Sequence, residues 1–393
     1  LIKGKIMNRK LVITRNNTHV VSALFENDDI AELHCEKRLQ DQSILTIGDI
    51  YVGKVKKVVP NINAAFVEIS SGTECYYSLE PDKNSEKQLR PGDELLVQIK
   101  KEAAKEKVPT VSGNLNFPGK YLVLTSGISK IGVSAKIKKE RRRELLAVMA
   151  QFQAEDYGFV VRTNAASAET KELHREAQRL IKQYRRITDI ADKRTCYSCI
   201  YKAPQPYISD IRNIYQEGLT DIVVEDPDIY RQVRQFLADY QPEDLDKLRL
   251  YEDATLPLHK LYTIESLLEA ATREKVWLQS GACLIIQPTE ALTVIDVNSG
   301  KANGKKGRNN ILNLNLEAAK EAAKQIRLRN LSGIILIDFI NLDNPEQMLE
   351  LLAAFRNYLN RDPIQTALID VTKLQLVEVT RQKIRRPLAE SLR

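Results

Sequence analysis

Two apolar runs of this 393-residue chain each end in a carboxylate: Ala291-Leu-Thr-Val-Ile-Asp-Val-Asn-Ser-Gly300 and Gly333-Ile-Ile-Leu-Ile-Asp-Phe-Ile340. Asp296 and Asp338 stand where strand-forming stretches give out. Asn298, two residues after Asp296, falls on the same side of an extended chain. Two carboxylates and an amide suit a hard divalent ion such as Mg²⁺, which takes one or two protein carboxylates and fills its other positions with water and phosphate oxygens. The segment Asn298-Ser-Gly-Lys-Ala-Asn-Gly-Lys-Lys-Gly-Arg308 is polar and cationic, able to seat a phosphate backbone beside such an ion. It lacks the Gly-x-x-x-x-Gly-Lys-Ser/Thr spacing of a nucleotide-binding loop. The chemistry indicated is in-line hydrolysis of a phosphodiester, leaving a 5′-phosphate when the 3′-oxygen departs. The competing reading is that each Asp caps the turn after its strand. A glycosidase-like acid–base pair would also use two carboxylates, but it gives the basic segments no purpose. With four His residues and no Ser-His-Asp or Cys-His order, nucleophilic acyl chemistry lacks candidates.

For both carboxylates to reach one ion, their strands must be neighbours. Between them runs an alanine-rich helical pattern, Leu316-Glu-Ala-Ala-Lys-Glu-Ala-Ala-Lys-Gln-Ile-Arg327, long enough to be a crossover. A crossover between adjacent parallel strands brings both carboxylates to one edge of a sheet. Residues 276–393 alternate strand and helix patterns, as α/β domains do. Upstream, residues 8–35 read as an antiparallel meander with Asn-rich turns. From Ile47 to about Lys100, short strands with Gly turns suit a small barrel such as an OB-fold. On that barrel Phe66, Tyr76 and Lys107 could form a stacking face with a cation, suited to single-stranded RNA; Phe66 as plain barrel core is the alternative. A helix pattern follows from Ile137 through Met149, then the strand Gly158-Phe-Val-Val-Arg-Thr163 and a polar helix from Ala168 to Tyr184. Arg162 and Thr163, at a strand end just before a helix, offer a guanidinium and a hydroxyl of the kind that clasp a phosphate. Pro204 and Pro206 predict a boundary near residue 205.

The chain length predicts two to four domains. Its 59 basic and 52 acidic residues give +7, an excess too mild to argue for nucleic acid unaided. Two clusters, Lys136 to Arg143 and Arg381 to Arg386, could track a phosphate backbone, or each could be a solvated helix face. No apolar run approaches the ~20 residues that span a bilayer, and the first residues do not read as a signal peptide. Five cysteines without framework spacing point to a reducing compartment. Cys196-Tyr-Ser-Cys199 has no second Cys pair or paired His to complete a zinc site, so zinc is not expected within the chain.

Together these motifs resemble a known family, the ribonuclease E/G endoribonucleases. Thr293-Val-Ile-Asp-Val-Asn-Ser-Gly300, Asn315-Leu-Glu-Ala-Ala319, Gly333-Ile-Ile-Leu-Ile-Asp-Phe-Ile340 and Thr372-Lys-Leu-Gln-Leu-Val-Glu-Val-Thr-Arg381 look like its signature segments, in its order. Gly48-Asp-Ile-Tyr-Val-Gly-Lys-Val55 and Ala64-Ala-Phe-Val67 resemble its barrel, and the likeness runs from about Met7 to Arg393. The resemblance implies an α+β multidomain fold. An RNase H-like domain (1–43 and 208–271) would be interrupted by an OB-fold RNA-binding barrel (44–113) and a 5′-sensor domain (114–207), with a DNase I-like α/β catalytic domain (272–393) last. It implies that Asp296 and Asp338 bind one Mg²⁺ supported by Asn298, that Arg162 and Thr163 hold a 5′-monophosphate, and that Phe66, Tyr76 and Lys107 grip RNA. The implied activity is Mg²⁺-dependent endonucleolytic cleavage of single-stranded RNA (mRNA, rRNA or tRNA precursors) in processing and decay, stimulated by a 5′-monophosphate. The implied setting is a bacterial cytoplasm ahead of a plastid stroma, with a homodimer and other RNA-decay proteins as candidate partners. This chain departs from the family pattern at Asn341, where Asp is usual, and at Lys107-Val-Pro-Thr110, where a Lys-Gly segment is usual. The family's zinc link and small dimerisation domain have no counterpart within it. The alternative function is a non-catalytic RNA-binding protein that keeps the fold.

Overall fold

The structure, a computed structural model, describes residues 8–15, 18–37, 45–79, 89–103, 108–214, 218–253, 255–300 and 308–392. The chain divides into two compact units, Leu1–Arg38 with Glu217–Arg393, and Leu39–Gln216. The first unit opens with β1 (Arg9–Arg15), β2 (His19–Glu26) and β3 (Asp29–Lys37), an antiparallel meander. Asn27 and Asp28 join β2 to β3 with φ of 50° and 68°. Positive φ at both central residues matches the twist of the flanking strands, and Asn and Asp tolerate it.

The second unit begins with a barrel. Strands β4 (Ile50–Val59), β5 (Ala64–Ser70), β6 (Thr73–Ser78), β7 (Glu94–Lys101) and β8 (Thr110–Ser112) pair in the order β4-β5-β6-β8-β7, and β7 closes back onto β4. Val55, Val67, Ile69, Cys75, Val97 and Ile99 fill its interior. A four-stranded sheet follows, ordered β11-β12-β10-β9, from β9 (Asn116–Pro118), β10 (Leu122–Ser126), β11 (Ile131–Val133) and β12 (Tyr157–Val161). Helices α1 (Lys139–Met149) and α2 (Thr170–Ala191) share one core with it through Leu145, Met149, Leu173 and Leu180. A reciprocal Glu169–Glu172 capping box starts α2, which continues past Tyr184 because Ile187 still finds burial. Strand β13 (Cys199–Tyr201) then returns to pair with β4 of the barrel. Pro206 is the first residue of α3 (Pro206–Asn213), where its missing N–H costs nothing.

Back in the first unit, β14 (Leu219–Val224) lies parallel to β1, and β15 (Leu248–Leu250) parallel to β14. Helix α4 (Pro227–Tyr240), capped by the Asp226 carboxylate, connects the two. Segments far apart in sequence thus build the single sheet β15-β14-β1-β2-β3. After α5 (Leu258–Leu261) and α6 (Ile264–Thr272) comes the last sheet, ordered β16-β17-β18-β19-β21-β20. Its elements are β16 (Lys275–Trp277), β17 (Cys283–Pro288), β18 (Leu292–Asn298), α7 (Arg308–Leu328), β19 (Gly333–Asp338), α8 (Pro345–Leu359), β20 (Thr366–Val371), β21 (Val377–Arg381) and α9 (Leu388–Ser391). Among its described pairings only β18–β19, joined by the α7 crossover, is parallel. One face is dry: Leu284, Ile286, Ile295 and Ile337 pack on Ala318, Ala319, Ala322 and Ile326 of α7 and on Phe355 of α8. The alanines let the helix backbone lie close to the sheet. At the far end of α7, Arg327 is paired with Glu26 of β2 and Glu32 of β3 at 3.1 and 2.7 Å.

Candidate active site

Alternation along β18 and β19 decides which residues reach this centre. Thr293, Ile295 and Val297 are buried, so Asp296 and Asn298 project from the opposite face, as does Asp338 beyond buried Ile335 and Ile337. The parallel register sets Asp296 directly opposite Asp338. With adjacent strands about 4.8 Å apart, the two carboxylates share one patch. They line a shallow hollow of about 320 Å³ together with Asn298 and Asn341. Neither carboxylate has an ion-pair partner among the described residues. Burial, and then the charge of Asp338, hold the Asp296 carboxyl above its usual range. Asn298 accepts the Gly300 N–H at 3.0 Å, an Asx turn that orients its amide. Gly300 has φ of 50°, and a Cβ there would stand 2.7 Å from the Gly281 carbonyl oxygen, so the turn requires glycine. The lysines at 301–307 that the sequence placed beside this centre lie outside the described residues.

Two facing carboxylates with no counter-cation among the described residues repel one another, and a hard divalent ion removes that repulsion. Among the described residues no group of three or more His, Cys, Asp or Glu could hold a metal. A two-carboxylate set nevertheless fits Mg²⁺, which keeps most of its shell as water and substrate oxygen. The donors present therefore suit that ion.

In the other unit, Lys57, Phe66 and Tyr76 are cross-strand neighbours in one row of the barrel. Phe66 and Tyr76 are half-buried and meet edge-on at 6.3 Å, with the Lys57 ammonium 4.5 Å from the Phe66 ring centroid. Lys107 lies outside the described residues; the cation seen beside Phe66 is Lys57. Arg162 follows the end of β12, and its guanidinium donates to the Gly119 carbonyl at 2.6 Å and to Asn213 Oδ1 at 2.8 Å. Burial draws its pKa down, Glu176 draws it up, and a guanidinium stays charged. Thr163 Oγ1 lies 3.0 Å from Ser134 Oγ. Glu176 accepts the backbone N–H groups of Lys120, Tyr121 and Leu122, fixing the segment that presents Gly119 to Arg162.

The profile of the ribonuclease E/G family matches residues 116–384. The chain belongs to the ribonuclease E/G family. Ribonuclease G of Haemophilus influenzae is 32% identical over 404 residues, covering 97% of this chain and 80% of that protein. Ribonuclease G of Escherichia coli (strain K12) is 30% identical over 398 residues, covering 96% and 81%. Ribonuclease E of Synechocystis is 31% identical over 396 residues, covering 96% of this chain and 57% of that protein.

Within this ribonuclease E/G chain, one member of the second basic cluster must be corrected, while Lys383 and Arg386 of that cluster are exposed. Arg381 is 3% exposed and ion-paired with Asp362 at 2.7 Å, so it anchors the core and does not track a phosphate backbone. Lys136, Lys138, Lys139 and Arg143 of the other cluster are exposed, while Arg141 turns inward to the carbonyls of Ala166 and Ala168. Sequence reasoning placed Asn315 in a signature segment but gave it no role. Fully buried on α7, its amide donates to the Ile340 carbonyl at 2.6 Å and accepts the Ile340 N–H at 3.0 Å. The β18 and β21 pairings of β19 stop at Asp338 and Ile337, so Asn315 stands in for a strand neighbour just past Asp338. A signal existed: 315, 318, 322 and 326 form one helical stripe, apolar except for this Asn.

Proposed function

We propose that this chain is a Mg²⁺-dependent endoribonuclease that cuts single-stranded RNA and leaves 5′-phosphate products. The observation that supports the reading most is the in-register pair Asp296–Asp338, which has no ion-pair partner among the described residues. These two residues would hold the ion, with Asn298 orienting beside them. A bound Mg²⁺ supplies acidification of a water and neutralisation of phosphoryl charge. The remaining work belongs to the chain. Phe66 and Tyr76 offer ring surface to unpaired bases, with Lys57 and Lys107 as cations for the backbone. Arg162, held by Gly119 and Asn213, keeps further N–H donors for a 5′-monophosphate, and the Thr163 hydroxyl adds another. On this reading residues 1–43 and 208–271 are the RNase H-like part, 44–113 the RNA-binding barrel, 114–207 the 5′-sensor and 272–393 the DNase I-like catalytic domain. The substrates would be mRNA, rRNA or tRNA precursors, met in a bacterial cytoplasm.

The test is cleavage of a short 5′-monophosphorylated RNA with Mg²⁺ and with EDTA, followed by end-group analysis. Cleavage that needs the metal and leaves 5′-phosphates is expected, and Arg162→Ala should remove the preference for 5′-monophosphate over 5′-hydroxyl ends. Binding without cleavage would instead indicate a non-catalytic RNA-binding protein. A preference that survives in Arg162→Ala would put the 5′ pocket elsewhere.

A further inference from the structure

Trp277 is the chain's only tryptophan and is 61% exposed, although indole is among the costliest groups to leave in water. It sits on β16, the edge strand of the sheet that carries the carboxylate pair. On this short strand Val276 packs into the core, so Lys275 and Trp277 project from the other face. That is the face of Asp296, Asn298 and Asp338. Register follows the rows across: Trp277 opposes Cys283, which opposes Asn298, and Lys275 opposes Ile285, which opposes Asp296. Trp277 therefore lies two strands, roughly 10 Å, from Asn298 along the sheet. The Lys275 ammonium stands 4.0 Å from the indole centroid. Neither the Lys275 ammonium nor the indole N–H has another partner among the described residues.

We propose that Trp277 and Lys275 form a stacking subsite for an unpaired base of the RNA whose backbone reaches Asp296 and Asp338. The inference rests on the nuclease reading above and adds to it a base contact on the sheet face that carries the carboxylates. An exposed indole face takes any base by stacking, and the adjacent ammonium serves both the ring and the phosphate. A single strand crossing from Asn298 toward β16 would meet the ring within a few nucleotides. A duplex, whose bases are already stacked, would gain nothing from it.

As the chain's single indole, Trp277 is its own reporter. A short oligouridylate is titrated into the Asp338→Asn protein, which would not consume it, while Trp emission and RNA anisotropy are followed together. A saturable change in emission is expected with oligouridylate and not with a base-free ribose-phosphate oligomer of equal length. In the otherwise intact enzyme, Trp277→Ala should raise KM about 5- to 100-fold with a smaller effect on kcat, and Trp277→Phe should restore most of the loss. Its exposure predicts an unchanged unfolding midpoint in both variants. Oligouridylate that binds without altering emission, with Trp277→Ala binding equally well, overturns the subsite and leaves the nuclease reading standing. Emission that changes with protein concentration alone assigns the indole to contact between copies and also overturns it. Should the unsubstituted chain neither bind nor cut RNA, the nuclease reading fails and this inference with it.

Discussion

At the scale of single residues, the carboxylate pair proposed to hold the metal is a destabilising feature of the fold. Asp296 is held above its usual pKa by burial and by Asp338. A group whose folded-state pKa is raised adds stability while protonated and loses it as pH rises through that value. Near neutral pH the metal-free pair therefore works against the fold. Asp338→Asn should raise the unfolding midpoint in EDTA by roughly 1–2 °C and should weaken the loss of stability seen as pH rises out of the acidic range. Mg²⁺ should then raise the midpoint of the unsubstituted protein and leave that of the variant where it was. A variant that melts lower in EDTA would contradict this account of the pair. Both aspartates were legible in the sequence because apolar alternation fixes which residues leave the dry face. Arg381 was legible too and was misread. Val377, Val379 and Arg381 share one side of β21, so the period already turned this arginine inward, toward Asp362.

At the scale of elements, the centre depends on how β19 ends. The strand loses its ladder partners at Asp338, and the buried Asn315 amide takes over by gripping both backbone groups of Ile340. Asn315→Leu fills the space but orphans a buried N–H and C=O, a cost of about 2–4 kcal/mol. The expected result is a lower unfolding midpoint together with a kcat reduced about 10-fold or more and an RNA KM within about twofold, since Asn315 touches no substrate. A midpoint that falls with kcat unchanged would limit Asn315 to structural support. The crossover of α7 was readable from its alanine repeat and its length. The insertion of β21 between β19 and β20 was not, because antiparallel register between distant strands leaves no local period. The return of three-residue β13 to the barrel was equally silent: Cys199-Ile-Tyr201 carries no pattern, and its partner β4 lies some 150 positions away, so only tertiary pairing defines it.

At the scale of the whole molecule, the proposed function assigns gripping RNA and cutting it to different residues. The barrel row of Lys57, Phe66 and Tyr76 and the cluster around Arg162 belong to one compact unit, and the carboxylate pair with Trp277 to the other. Net charge was a poor guide to this division, since +7 is spread over surface lysines and paired arginines that are buried or half-buried alike. The account requires that removing one carboxylate abolish turnover and spare binding, because the binding residues keep their own supports. The decisive measurement is single-turnover cleavage of a short 5′-monophosphorylated RNA by Asp338→Asn at saturating Mg²⁺, with RNA affinity measured on the same preparation. The account predicts cleavage reduced by about 1,000-fold or more, the range expected when a group that stabilises charge in the transition state is lost, with affinity within about threefold. Near-normal cleavage by that variant would contradict it.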